Sequence, residues 1–173
     1  PQVVLIDPTM LQTLPSQELV NGYGEMIKMA MVLDADLFGL LEQLLPSSDP
    51  DKLTSAIKRT IQITVDVCDA DPYETEYRKI LNYGHTVGHA LERASDYTLP
   101  HGTAVMFGML VEGELAHQAG HLSAADLARQ NSLIQRVLPK SKTWYDNAEL
   151  IQHMQRDKKS KNDKIYCTLP KKV

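Results

Sequence analysis

The chain has 173 residues, 43% hydrophobic and 23% charged, the balance of a soluble globular domain long enough to bury a real core. Its 18 lysines and arginines against 22 acidic residues leave a net charge of −4, and no basic stripe alternates with aromatics, which excludes nucleic acid as a partner. No apolar run is long enough to span a bilayer and no charged-then-apolar signal opens the chain, so no membrane partner is expected and the cytoplasm is the default compartment.

Residues 1–7, Pro-Gln-Val-Val-Leu-Ile-Asp, have the short apolar run of a buried strand, stopped by Pro8. No βαβ alternation follows, so this segment reads as the last strand of a unit lying upstream. A helical region begins near Pro15 and Ser16 and runs to about Leu45, with Gly22 and Gly24 early and Met26, Ile27, Ala30, Met31, Leu33 and Leu37 apolar. Within it Glu25 and Lys28 are three apart and share a face. Residues 46–50, Pro-Ser-Ser-Asp-Pro, are a loop by composition.

A second helix is expected over about 52–67, where Leu53, Ile57, Ile61 and Val65 recur at four-residue steps, before Asp69-Ala-Asp-Pro72 breaks it. A third starts near Tyr73 and continues to about Ala94, kinked at Gly84. Gly102 opens a fourth, reaching Ala119 with Gly120 as its cap. Ser123 heads 124–138, and Asn147 heads a short helix to about Gln155. Residues 164–170 are the other strand-like stretch. Cys68 and Cys167 have no CxxC spacing and read as buried thiols rather than a disulfide. The expectation is one mainly α-helical, multi-helix domain over residues 1–173, with one or two short terminal strands.

Three histidines carry the chemistry. His85 and His89 are four apart, so on a helix they project from one face, and His101 follows just before another glycine. Imidazoles can ligate a metal or move a proton near neutral pH. Scattered histidines are also often merely packed, but Gly84 and Gly88 remove side chains beside these two, which suits close approach of a ligand or a backbone. Glu74, Arg78, Asn82, His85 and His89 are spaced to share one face of a continuous helix, either as a solvated stripe or as the wall of a polar cleft. Glu25 with two imidazoles would leave open positions on a divalent metal, the pattern of a catalytic rather than a structural site. By themselves, Glu25 and Lys28 could equally be a surface ion pair.

The motifs around Glu25 and Lys28, the run Glu74, Arg78, Asn82, His85-Thr-x-Gly-His89-Ala-x-Glu92, and His101-Gly-x-Ala-Val105 resemble the C-terminal domain of the 3-dehydroquinate synthase family. The opening Val-Leu-Ile-Asp-Pro and the later Asp157-Lys158-Lys159 fit the same family, so the resemblance spans nearly the whole chain. The histidine block is shared with related sugar-phosphate cyclases and, more loosely, with metal-dependent polyol dehydrogenases.

The resemblance implies that Glu25, His85 and His101 hold a divalent metal, zinc or alternatively cobalt. It implies that Lys28, Arg78, Asn82, His89 and Lys158 contact the substrate's phosphate, carboxylate or hydroxyls, and that Glu74 lies on the cleft rim. The implied reaction converts 3-deoxy-D-arabino-heptulosonate 7-phosphate to 3-dehydroquinate and phosphate in the shikimate pathway. It proceeds by NAD-assisted oxidation, phosphate elimination, reduction and aldol closure, as a phosphate-eliminating lyase. The implied parent is a homodimer, with NAD on an N-terminal domain that this chain does not include, so the chain alone is expected to be inactive.

Two departures stand out. Gly22-Tyr-Gly24 lacks the third glycine of a dinucleotide-binding turn and follows no complete strand–turn unit. Thr64 stands where the quinate-forming members usually carry a substrate-contacting lysine, and Thr103 is a milder change. A cyclase for another sugar phosphate, a polyol dehydrogenase domain, or a non-catalytic helical binding module therefore remain as alternatives.

Overall fold

The computed structural model describes residues 3–46, 49–139, 145–156 and 164–171. Among these, seven α-helices account for the architecture: α1 (Ser16–Leu33), α2 (Ala35–Leu44), α3 (Pro50–Ala70), α4 (His85–Ala94), α5 (His101–Gln118), α6 (Ala124–Val137) and α7 (Asn147–Gln155). Two 3₁₀ segments, Pro8–Thr13 and Tyr77–Asn82, complete the order. No helix is long and apolar enough to cross a membrane.

Helix α5 is apolar nearly all round, and such a helix stabilises itself only by being enclosed. It is packed against α1, α4 and α6. Val105, Met106 and Met109 from α5 meet Ile27, Ala30 and Met31 from α1, together with Leu133 and Ile134 from α6, in one continuous core. Helices α2 and α3 cover the other side of α1, and α7 rests on α4, where Tyr145, Leu150 and Met154 pack on Val87 and Leu91.

Several ends follow their sequence signals. Ser123 accepts from Asp126 N–H at the start of α6. At the end of α5, Gly120 adopts φ +75°, its N–H reaches His117 O, and His121 N–H reaches Ala116 O, closing a Schellman motif. Helix α3 is longer than its apolar spacing indicated, because Asp49 accepts from Asp51 and Lys52 N–H and moves the start forward to Pro50.

Three expectations are corrected. The region from Pro15 to Leu45 is two helices, because Asp34 is extended, closes α1 with its N–H and opens α2 by accepting from Leu37 N–H. The region from Tyr73 to Ala94 is not one helix: a 3₁₀ segment ends at Asn82, Tyr83 is extended, and Gly84 turns with φ +77° before α4 begins at His85. The terminal strands do not form among the described residues. Residues 3–7 have no regular structure and Leu5 is 91% exposed; 164–171 carry only an isolated bridge at Lys164. A strand needs a neighbour to take its N–H and C=O groups.

Candidate metal centre

The site forms where the first turns of α4 and α5 meet the middle of α1, and that approach depends on missing side chains. A Cβ on Gly102 would stand 1.8 Å from Asn21 O, so α5 begins in contact with the α1 backbone. Asn21 fixes the crossing by accepting from Gly102 N–H through its side-chain oxygen. Glu25, one turn along α1, is thereby carried to His101, the first residue of α5. On the other side, a Cβ on Gly108 would stand 1.9 Å from Gly84 O, which lets α4 lie directly on α5 and brings His85 in.

The result is three convergent donors. Glu25 Oε1 lies 3.5 Å from His101 Nε2 and 3.7 Å from His85 Nε2. It is buried and accepts no hydrogen bond, an unusual state for a carboxylate oxygen. Its other oxygen accepts from Lys28 Nζ at 2.6 Å, and Lys28 is itself only 3% exposed. Donors about 2.1 Å from a tetrahedral zinc stand roughly 3.4 Å apart, so these separations suit a metal better than they suit hydrogen bonds.

The two imidazoles are oriented by what their other nitrogens touch. His85 Nδ1 is 3.1 Å from Tyr83 O, and His101 Nδ1 is 3.0 Å from Glu92 Oε1. A carbonyl and a carboxylate only accept, so both Nδ1 atoms carry protons, and a neutral ring then offers its Nε2 lone pair toward Glu25. Burial, with Lys28 adding to it, pushes His85 down to about 4, so the ring is neutral at physiological pH. Glu25 is pushed up by burial, but His101, Lys28 and His85 outweigh that and hold it at about 2. His101 is raised by Glu25 against the opposing effect of burial, with Glu92 reinforcing it.

His89 joins the same cluster. Its ring centroid is 5.3 Å from that of His85 and 6.1 Å from that of His101. His89, Glu92 and His101 also lie close enough to form a second ligand group. Glu92 is engaged with His101 Nδ1 while His101 Nε2 faces Glu25, which favours Glu25, His85 and His101.

The remaining residues are less tightly gathered. Asn82 Nδ2 donates to Glu74 Oε1 at 2.8 Å, and Arg78 Nη1 donates to Pro72 O at 3.2 Å. They belong to the loop and 3₁₀ segment before α4, so they do not form one helical face with His85 and His89 as the spacing suggested. Asp71 shapes this loop by accepting from Thr75, Glu76 and Arg78 N–H and from the Thr75 hydroxyl, which accommodates Glu74 at φ +56°. Lys158 lies outside the described residues. Thr64 donates its hydroxyl to Thr60 O within α3, and Thr103 is buried in α5. Cys68 and Cys167 are not joined in a disulfide and are half-buried rather than fully enclosed.

Sequence reasoning missed Asn21, Asp71 and Glu112 as organisers, and gave Glu92 no role. Glu112 alone carried a signal, a lone carboxylate in the apolar run of α5. Asn21 had none, since its partner is a backbone N–H far away in sequence.

A family model described as 3-dehydroquinate synthase C-terminal matches residues 22–160. A protein named 3-dehydroquinate synthase from Corynebacterium jeikeium is 42% identical over 170 residues, covering 95% of this chain and 46% of the relative. One of the same name from Nostoc punctiforme is 40% identical over 181 residues, covering 100% of this chain and 50% of the relative. Among solved structures, the 2-epi-5-epi-valiolone synthase of Streptomyces hygroscopicus, with NAD+ and Zn2+ bound, superposes with a TM-score of 0.84 at 29% identity. It covers 96% of this chain and 48% of that one. A 2-deoxy-scyllo-inosose synthase complexed with carbaglucose-6-phosphate, NAD+ and Co2+ gives 0.79 at 26% identity, covering 88% and 43%. The chain thus spans about half the length of the curated relatives it matches.

Proposed function

The chain belongs to the 3-dehydroquinate synthase family, as its C-terminal domain, and from that premise we propose that it supplies the metal- and substrate-binding half of a 3-dehydroquinate synthase. The reaction proposed is conversion of 3-deoxy-D-arabino-heptulosonate 7-phosphate to 3-dehydroquinate and phosphate, in the shikimate pathway and in the cytoplasm. The observation that carries the reading is the buried Glu25 Oε1, without a hydrogen bond and facing two imidazole Nε2 atoms at 3.5 and 3.7 Å. An oxygen acceptor between two oriented nitrogen donors is a ligand set for a divalent cation, zinc in the first instance.

A cation held by Glu25, His85 and His101 would supply Lewis acidity toward a substrate oxygen, and NAD would supply a hydride acceptor. This chain's residues bind and orient. Lys28 brings a buried positive charge to the inner edge of the site, where it holds Glu25 and can meet an anionic substrate group as a point charge. Arg78 and Asn82 offer a guanidinium and an amide from the loop before α4, with Glu74 on the rim. Lys158 completes the proposed substrate contacts. His89, one turn beyond His85, is placed to hold or pass a proton beside the phosphate or a hydroxyl. NAD would be cradled by the half of the enzyme that corresponds to the unmatched length of the relatives, and the whole would be a homodimer.

Thr64 favours a second reading within the same family of folds, a cyclase for another sugar phosphate, because a hydroxyl tied to Thr60 O cannot supply a lysine's charge. Relatives near 40% identity that carry the 3-dehydroquinate synthase name weigh against it. The test is substrate-dependent phosphate release, with NAD and zinc present, by a protein carrying this chain joined to a nucleotide-binding half. Turnover of 3-deoxy-D-arabino-heptulosonate 7-phosphate is expected; turnover of only another sugar phosphate would replace the first reading by the second.

A further inference from the structure

We propose that Glu112 is a positioning residue for this centre: a buried carboxylate on α5 that grips the first turn of α4 and so sets His85 against His101. The inference rests on the metal reading above and extends it to a residue outside the ligand and substrate sets.

Glu112 is fully buried. One of its oxygens accepts from Gly84 N–H at 2.7 Å, and the other from Val87 N–H at 3.1 Å. The first N–H groups of a helix have no partner within it, and these two belong to the N-cap and the third residue of α4. A capping box meets the same two donors with side chains of its own helix. Gly84 has no side chain to do so, and here one carboxylate from a neighbouring helix takes both. Its charge also faces the positive end of the α4 dipole.

Capping alone does not account for the arrangement. Serine or aspartate on the surface caps a helix without the cost of burying a charge. What the buried carboxylate adds is a link between two helices, and it spans just the residues that flank His85. Glu112 lies about three turns beyond His101 on α5, which returns it to nearly the same face. A single helix therefore carries one proposed ligand and the clamp on the turn that carries another. The His85 ring is fixed to Tyr83 O on the other side of Gly84, so rotation of this turn would move Nε2 directly. Metal affinity depends on such orientation, and loss of an orienting partner typically weakens binding 10–100-fold.

Cobalt(II) titration of the 173-residue chain, followed by visible absorption, tests the proposal, with thermal unfolding of the metal-free protein recorded alongside. Glu112→Gln keeps the volume but turns an amide NH₂ toward one of the two N–H donors. It is expected to bind cobalt about 10–100-fold more weakly, with a shifted visible band. Ser123→Ala removes a helix cap remote from the site and is expected to lower thermal stability while leaving cobalt affinity and spectrum unchanged. Should Glu112→Gln fail to fold, Glu112→Asp keeps the charge, shortens the reach and is expected to show the same two changes.

Wild-type affinity and spectrum in either folded Glu112 variant would overturn the proposal. Failure of both variants to fold would make Glu112 a stability group and overturn it equally. If the unmutated chain binds no cobalt, the metal reading falls and this inference with it, an outcome distinct from the other two.

Discussion

His101 donates from Nδ1 to the Glu92 carboxylate at 3.0 Å, and the same ring turns Nε2 to within 3.5 Å of Glu25 Oε1. Glu92 therefore fixes both the tautomer and the aim of a ring that stands at the first position of α5. Replacing it by alanine leaves the imidazole free to rotate and to carry its proton on the other nitrogen. Glu92→Ala is expected to weaken zinc binding by roughly 10–100-fold, measured by competition with a chromophoric chelator. Unchanged affinity would show that His101 is held by packing alone.

The glycines divide by what they face. Gly108→Ala would place a methyl group 1.9 Å from Gly84 O, so α4 and α5 must separate. The expected cost is about 1–3 kcal/mol or more, as for overpacked cores, with metal affinity lost alongside stability. Gly22 sits in α1 with nothing within 4 Å of a Cβ. Gly22→Ala is expected to stabilise by about 0.5–1 kcal/mol, because only helix propensity changes. Chemical denaturation of both variants checks the pair; a neutral Gly108→Ala would contradict the close packing proposed to bring His85 to His101.

Much of this organisation was legible in the sequence, and the failures have specific causes. Four-residue apolar steps located α3, Ser123 marked the start of α6 and Gly120 the end of α5, because amphipathic spacing and caps are local. The division at Asp34 was hidden because the apolar pattern continues across it, while that one residue ends α1 with its backbone N–H and starts α2 with its carboxylate. The face from Glu74 to His89 was misread since i, i+4 spacing survives a break that only the positive φ of Gly84 and Glu74 reveals. The strand-like runs could not be judged alone, as β structure is settled by a partner. His85 and His101 were visible as candidates, whereas Asn21 acts through a distant backbone N–H and leaves no pattern, and Glu112 leaves only a lone carboxylate in an apolar run.

Asp71 supplies a pH signature away from the centre. The N–H groups of Arg78 and Thr75 hold its carboxyl well below the ordinary 3.8 against the opposing effect of burial, with Glu76 N–H and the Thr75 hydroxyl adding to them. A depressed folded pKa means that the unfolded chain binds the extra proton, so this contribution is whole above about pH 4 and is lost as pH falls through the folded value. Asp71→Asn is expected to unfold at lower temperature at pH 7 and to lose less on acidification from pH 5 to 2. Thermal melts across that range check it; parallel acid limbs in the two proteins would contradict it.

Glu25, His85 and His101 are proposed to hold the metal, while His89, on the same helix as His85, is not. Zinc content after equilibrium dialysis, by elemental analysis, measures this directly in four proteins. One zinc per unmutated chain is expected, with strong loss in His85→Ala and His101→Ala and near-normal occupancy in His89→Ala. In the enzyme, His89→Ala is expected to slow the chemistry ~10²–10⁴-fold if it transfers a proton. Loss of zinc from His89→Ala as complete as from His85→Ala would contradict the assignment and make the two histidines of α4 a chelating pair.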